Sequence, residues 1–265
     1  MKPAPAFAKE SDLCAAFIAA LPDGWTAYPE TGGFDILLSR ADGFQIGVEA
    51  KLRLNTKVVL QAAERLGCSY VTMPGPDCRA VLVPEAHNSE LADLCSLLCI
   101  TVVTYRPQRP HVMASSIWPD LPKVDDHYWS GWHELAPEKR IELPDWVPDV
   151  SAGASAPVSL TDWKIRAIKI VITLAKRGYV TRADFAFFKV SMSRWTQGGW
   201  LVQDGRGGWI AGKYMPDFKA QHPVNFPQIE ADFEKWKPAG EFPTRVPIAE
   251  PPSIVPDLFD GGVKA

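Results

Sequence analysis

No stretch of this chain approaches the roughly eighteen apolar residues that a membrane span needs. The opening MKPAPAFAKESDL turns charged too early for a secretory leader. These two absences predict a cytoplasmic protein with no membrane contact. Cysteine is scarce, five residues at irregular spacing, and an odd, unpatterned set is not a disulfide framework. Cys14, Cys95 and Cys99 fall inside apolar helical patterns and are expected as buried thiols. Cys95 and Cys99 stand one helical turn apart, but no second pair accompanies them to complete a zinc site. The five histidines are scattered without metal-ligand spacing. There is no internal repeat and no phosphate-cradling glycine loop; the glycines at 205–208 belong to a hairpin turn.

The net charge of −3 is too small to mark a general nucleic-acid binder, but its distribution is uneven. Residues 1–150 hold 13 Lys/Arg against 20 Asp/Glu, whereas residues 160–222 hold 11 against 4. A carboxylate-rich module followed by a phosphate-gripping one carries this asymmetry.

Periodicity divides the chain into four parts. Over 1–110 the pattern predicts a helix from about Ala8 to Leu21, then strands at Trp25–Thr31, Phe34–Arg40 and Phe44–Arg53. Ala41-Asp42-Gly43 forms the tight turn between the last two. Asn55 is placed to cap a helix reaching about Leu66. Short strands follow near Tyr70–Met73 and Ala80–Val83. A helix begins at Asn88 or Ser89, and Ile100–Tyr105 closes the series. This order is an α/β sandwich, a mixed sheet flanked by helices. Residues 111–158 read as a linker segment rich in proline, with Trp118, Trp129, Trp132 and Trp146 expected to pack it onto one of the domains. From 159 to 237 the pattern gives a helix from Asp162 to about Gly178 and a Thr181-capped helix over Arg182–Val190. A short helix from Ser191 to about Gln197 and a hairpin of Trp200–Gln203 with Trp209–Ala211 follow. Three helices and a hairpin predict a winged helix-turn-helix DNA-binding domain, with Lys189, Arg194 and Arg206 flanking its recognition helix and wing. Phe185, Phe187 and Phe188 are expected in its core, with Trp195 and Trp200. Residues 238–265 read as a flexible tail.

The chemistry concentrates in the second hairpin. Along Phe44–Leu52, Phe44, Ile46, Val48, Ala50 and Leu52 alternate onto one face and Gln45, Gly47, Glu49 and Lys51 onto the other. With Asp42 at the centre of the turn, Arg40 pairs with Phe44, and counting outward sets Asp35 opposite Glu49. Directly opposed residues have Cβ atoms roughly 4.5–5.5 Å apart. Two carboxylates so close destabilise a hairpin unless a cation lies between them, and Mg²⁺ suits a few carboxylate oxygens plus water.

Asp35, the Glu49-Ala50-Lys51 triplet, the hairpin joining them and the flanking helices resemble the PD-(D/E)xK nuclease superfamily over about the first 110 residues. The resemblance implies a restriction-endonuclease-like fold and a Mg²⁺- or Mn²⁺-dependent endonuclease acting on double-stranded DNA. It implies Asp35 and Glu49 as metal ligands and Lys51 as the catalytic lysine. A further acid often comes from the first helix or the preceding strand; Glu10 and Glu30 are the candidates, with Glu30 preferred. Phe34 stands where the family usually has proline. Gln61 lies where some subfamilies place a glutamine, but Arg65 holds the place of the tyrosine that accompanies it. Arg53 and Lys57, beside the triplet, are expected to contact DNA. A catalytic domain of this type before a winged helix is similar to the endonuclease subunit of cut-and-paste transposons, and a phage or restriction-type nuclease has the same residues. A homodimer, or a transposase, phage or defence protein partner, would supply a second cut. The alternative is a catalytically inactive DNA-binding regulator or a partner-docking protein using the Trp-rich segment or Pro256–Phe259.

Overall fold

The structure is a computed structural model that describes residues 6–64, 73–84, 89–106, 115–124, 131–154 and 160–238. The chain divides into two compact units, Met1–Ile165 with Asp217–Asp232, and Arg166–Pro216 with Phe233–Ala265.

The first unit is mixed α/β. Helix α1 (Glu10–Ala19) precedes an antiparallel meander of β1 (Trp25–Thr31), β2 (Phe34–Arg40) and β3 (Gln45–Ala50). The chain then crosses through α2 (Thr56–Ala62) to β4 (Cys78–Val83) and through α3 (Ser89–Leu97) to β5 (Ile100–Tyr105). Both crossovers leave their strands parallel to the one before. The two-residue β6 (Ile117–Trp118) adds antiparallel to β5, completing a six-stranded sheet in the order β1-β2-β3-β4-β5-β6.

Strand alternation sorts the apolar side chains onto two faces. Leu13, Cys14 and Phe17 of α1 join Ile36, Leu38, Ile46, Val48, Ala80 and Leu82 in one core. Val58, Val59 and Ala62 of α2 join Val81, Val83, Cys95 and Ile100 in the other. β4 is buried along its whole length, as a central parallel strand covered on both faces must be. Each fully buried Leu, Ile or Val contributes about 1.5–3 kcal/mol.

Local chemistry sets the element ends. The Asn55 side chain accepts from the Val58 N–H at 3.1 Å and caps α2 as expected. In the β2–β3 turn Asp42 accepts from the Phe44 N–H at 3.1 Å and pairs with Arg40 at 2.7 Å, and Gly43 takes a left-handed φ of +87°. The Arg40 guanidinium holds the Asp42 carboxyl down at about 2. Described residues after β6 pack on this unit. The buried Trp132 donates to the Asp120 carbonyl at 2.8 Å, Arg140 pairs with Asp77 at 2.8 Å, and the Gln45 side chain exchanges hydrogen bonds with the Ile141 backbone at 2.8 and 2.9 Å.

The second unit starts within α4 (Asp162–Arg177) and continues through α5 (Arg182–Phe187), α6 (Ser193–Gln197) and a hairpin of β7 (Leu201–Gln203) and β8 (Trp209–Ala211). A single bridge ties Val180 to Trp209. Asp184 closes a capping box with Thr181 and pairs with Arg177. Ile168, Ile172, Phe185, Phe188, Trp195 and Leu201 are buried. Two short helices, α7 (Phe218–Gln221) and α8 (Asn225–Ala231), belong to the first unit, and α9 (Phe233–Trp236) belongs to the second.

Several expectations need correction. Cys99 is exposed, because α3 ends at Leu97 and Cys99 turns back with a left-handed φ of +57°. Phe187 is 52% exposed, since α5 is too short to bury three neighbouring rings on one side. Trp118, on the two-residue edge strand, is 68% exposed. α1 and β3 are shorter than their apolar patterns, and α7 to α9 follow no pattern long enough to announce them. Met73 is irregular; the rest of the strand expected near it, the end of α2 beyond residue 64, Trp129 and the tail from 239 lie outside the described residues. Among those described, no helix is long and apolar enough to cross a membrane.

Gly47 carries a sharp packing constraint, since a Cβ there would meet the Phe34 ring at 2.5 Å. Gly47→Ala is expected to cost about 1–3 kcal/mol through overpacking. Urea unfolding should show the loss, with partial recovery when Phe34→Leu is added.

Candidate active site

The β2–β3 ladder pairs Ser39 with Gln45, Leu38 with Ile46, Leu37 with Gly47 and Ile36 with Val48, and just past its end the Ala50 N–H donates to the Asp35 Oδ2 at 2.8 Å. This is the register counted outward from the Asp42 turn. On the other side of β2, Pro29 pairs with Ile36 and Thr31 with Phe34, which leaves Glu30 facing Asp35 between them. Glu30, Asp35 and Glu49 thus lie on three neighbouring strands, close enough for their charges to act on one another. Glu30 interrupts the β1 ladder with a left-handed φ of +50°, a conformation that costs a non-glycine residue about 1–2 kcal/mol. Lys51 follows β3 directly, its N–H bonded to the Leu82 carbonyl at 2.9 Å.

Burial makes the cluster electrostatically expensive. Glu49 is 5% exposed, and burial together with the charges of Asp35 and Glu30 pushes its carboxyl up to about 8, against the opposing pull of Lys51. Asp35 is also raised by burial, although the Ala50 N–H at 2.8 Å and Lys51 favour its charged form. Burial and Asp35 lift Glu30 to about 6, while its Oε1 accepts from the Gly153 N–H at 2.9 Å. The Lys51 ammonium is lowered by burial, but a 2.5 Å pair with Glu10 and the charges of Asp35 and Glu49 leave it raised overall. The neighbouring Cys14 thiol is driven up to about 12 by burial and by Asp35, Glu30 and Glu10. Both acids considered for the third position therefore reach the cluster, Glu10 through Lys51 and Glu30 through Asp35.

Asp35 and Glu49 supply hard oxygen donors, which suit a divalent ion that keeps much of its water. Among the described residues no group of three or more His, Cys, Asp or Glu is arranged to hold a metal ion. A cation here would rest on these two carboxylates and on water. Arg53 and Lys57 are exposed, in the loop after β3 and the first turn of α2. Lys189, Arg194 and Arg206 are exposed in the second unit.

One contact had no sequence signal. Gly153 reaches Glu30 across 123 positions. The Gln61 Oε1 is buried without a hydrogen-bond partner among the described residues and lines a cavity of about 50 Å³ with Phe34, Glu64 and Arg79. That volume admits water.

Comparison with protein-family models, curated proteins and solved structures finds no match for the chain.

The raised Glu49 fixes the sign of a pH effect. Its folded form holds the proton more tightly than the unfolded chain, so its stabilising contribution is complete below the ordinary value of 4.5 and is lost as pH rises through about 8. In EDTA, thermal melts are expected to fall across this window. Glu49→Gln should flatten the fall and melt roughly 3 °C or more above the wild type at pH 9.

Proposed function

We propose that the chain is a metal-dependent endodeoxyribonuclease of the PD-(D/E)xK type that hydrolyses phosphodiester bonds in duplex DNA. The observation that carries this reading is the cluster of Glu30, Asp35 and Glu49 on three neighbouring strands, with Lys51 directly after β3 and two residues beyond Glu49. Asp35 and Glu49 would hold Mg²⁺ or Mn²⁺. The ion would supply charge neutralisation at the phosphate and a more acidic bound water. Glu49 must release its raised proton before it can act as a charged ligand. Lys51 contributes a positive group beside the reacting phosphate, and the low-dielectric surroundings strengthen its effect. Glu30 adds a third carboxylate to the cluster.

The second unit supports a winged helix that delivers the duplex. Its order of helix, bridge, two helices and hairpin fits that motif, and Lys189, Arg194 and Arg206 are exposed on it. Residues 160–222 hold 11 Lys/Arg against 4 Asp/Glu, as phosphate contact requires. Arg53 and Lys57 would hold phosphates beside the acids. A single site nicks; a cut through both strands calls for a second copy or a partner such as a transposase, phage or defence protein. One observation favours a non-catalytic regulator instead: Glu10 already engages Lys51 at 2.5 Å.

Plasmid cleavage decides between these readings. With Mg²⁺ or Mn²⁺ the wild type is expected to relax or linearise supercoiled DNA. Lys51→Ala and Glu49→Ala should slow it by about a hundredfold or more while still binding DNA. Binding without cleavage by the wild type would favour the regulator. Replacing Lys189, Arg194 and Arg206 together by Ala should weaken binding and reduce the salt slope by about 3 if each contacts a phosphate.

A further inference from the structure

Glu30 takes a hydrogen bond from far along the chain, and the segment that donates it is fastened at both ends. Gly153, the donor, has a left-handed φ of +67°, and a Cβ on it would stand 2.9 Å from the Cys14 Sγ. The backbone can approach Glu30 this closely only because residue 153 is glycine. Its neighbour Ala152 is buried in the same core as Leu13, Cys14 and Phe17.

Four residues upstream, Asp149 is clasped on every side. Its N–H donates to the Asn225 Oδ1 at 2.8 Å, its Oδ2 accepts from the N–H groups of Val224 and Asn225 at 2.9 and 3.0 Å, and its Oδ1 meets the His222 Nδ1 at 2.8 Å. The Asn225 Nδ2 donates to the Val147 carbonyl at 2.8 Å. His222 and Asn225 are fully buried. Four residues of chain span at most about 14 Å, so little slack separates the clasp from the Gly153 N–H.

We infer that residues 147–153 are a strap that positions the Glu30 carboxylate beside Asp35 and Glu49, with Asp149, His222 and Asn225 as positioning residues. A segment that only covered the core would need apolar contacts such as that of Ala152. This one carries a network of polar bonds around the buried His222 and Asn225 at one end and meets a site carboxylate at the other. The left-handed backbone at Glu30 belongs to the same device, because strain of this kind persists where surrounding contacts over-determine it. The inference rests on the nuclease reading for its consequence in catalysis, and its structural content can be tested separately.

The test uses the full chain, ¹⁵N-labelled, as wild type, Asp149→Ala, Glu30→Ala and Glu30→Gln. Exchange of the Gly153 amide is expected to quicken by at least about tenfold in the two alanine variants, with the β3 amides of Ile46 and Val48 unchanged. Glu30→Gln, which keeps an acceptor oxygen, should retain protection. In cleavage, Asp149→Ala and Glu30→Ala should each lower kcat by about 10- to 100-fold with KM for DNA unchanged. The double variant should be no slower than Glu30→Ala alone, since both changes act through one group. Unchanged Gly153 exchange in both alanine variants, or kcat losses that multiply, would overturn the strap. If Asp149→Ala also loosens β3, the comparison of Glu30→Ala with Glu30→Gln decides, because both leave the clasp intact. A wild type that cuts no DNA defeats the nuclease reading, and the exchange data then judge the strap by themselves.

Discussion

The register of β2 against β3 decides which side chains of the first unit meet, and it is set by a turn of three residues. Asp42 accepts the Phe44 N–H and grips Arg40, whose guanidinium lies 4.6 Å from the centre of the Phe44 ring and bonds the Pro122 carbonyl at 2.9 Å. A slip by one position would turn Ile46 and Val48 out of the α1 core and drive Gln45 and Glu49 into it. The cost of that exchange is several buried methyl-bearing side chains, so the register has one solution. Its consequence is a cluster of like charges that the fold must then contain.

Containment takes three forms. Asp35 receives the Ala50 N–H, Glu30 receives the Gly153 N–H, and the Lys51 ammonium stands within the field of Asp35 and Glu49 while bonded to Glu10. At Glu49 burial and repulsion outweigh the pull of Lys51, and its carboxyl rises to about 8. A stable protein places such a group in its sheet at a cost in stability, and functional sites are where costs of this kind concentrate. The second unit has the complementary character, with an excess of cations and a core of Phe185, Phe188 and Trp195 under short helices.

Much of this was legible before any coordinates. Phe34–Arg40 and Ile100–Tyr105 fall at the bounds their patterns predict, and Asn55 caps α2 because a side-chain acceptor there has few other uses. The pairing of Ile36 with Val48 and of Leu38 with Ile46 came from counting along one hairpin, a local matter. Three neighbouring phenylalanines at the end of α5 do not share one fate, because Phe185 and Phe188 lie on a side that Phe187 does not. The Trp-rich stretch could not be divided by composition into the buried Trp132 and the exposed Trp118; that depends on where Asp120 and the edge strand lie.

What the sequence determined by itself was the alternation of strands, the turn chemistry and hence the register from Ser39–Gln45 to Ile36–Val48, since these follow from dihedrals and periods of two. It also offered Glu10 and Glu30 for the third acidic position, with Glu30 preferred. Only the tertiary structure decided how each reaches the cluster, Glu10 through the Lys51 ammonium and Glu30 through Asp35 and Gly153. The physical reason is range. Hairpin geometry is specified within some fifteen residues, whereas a bond between positions 30 and 153 exists only once the core around Ala152 and Cys14 has closed.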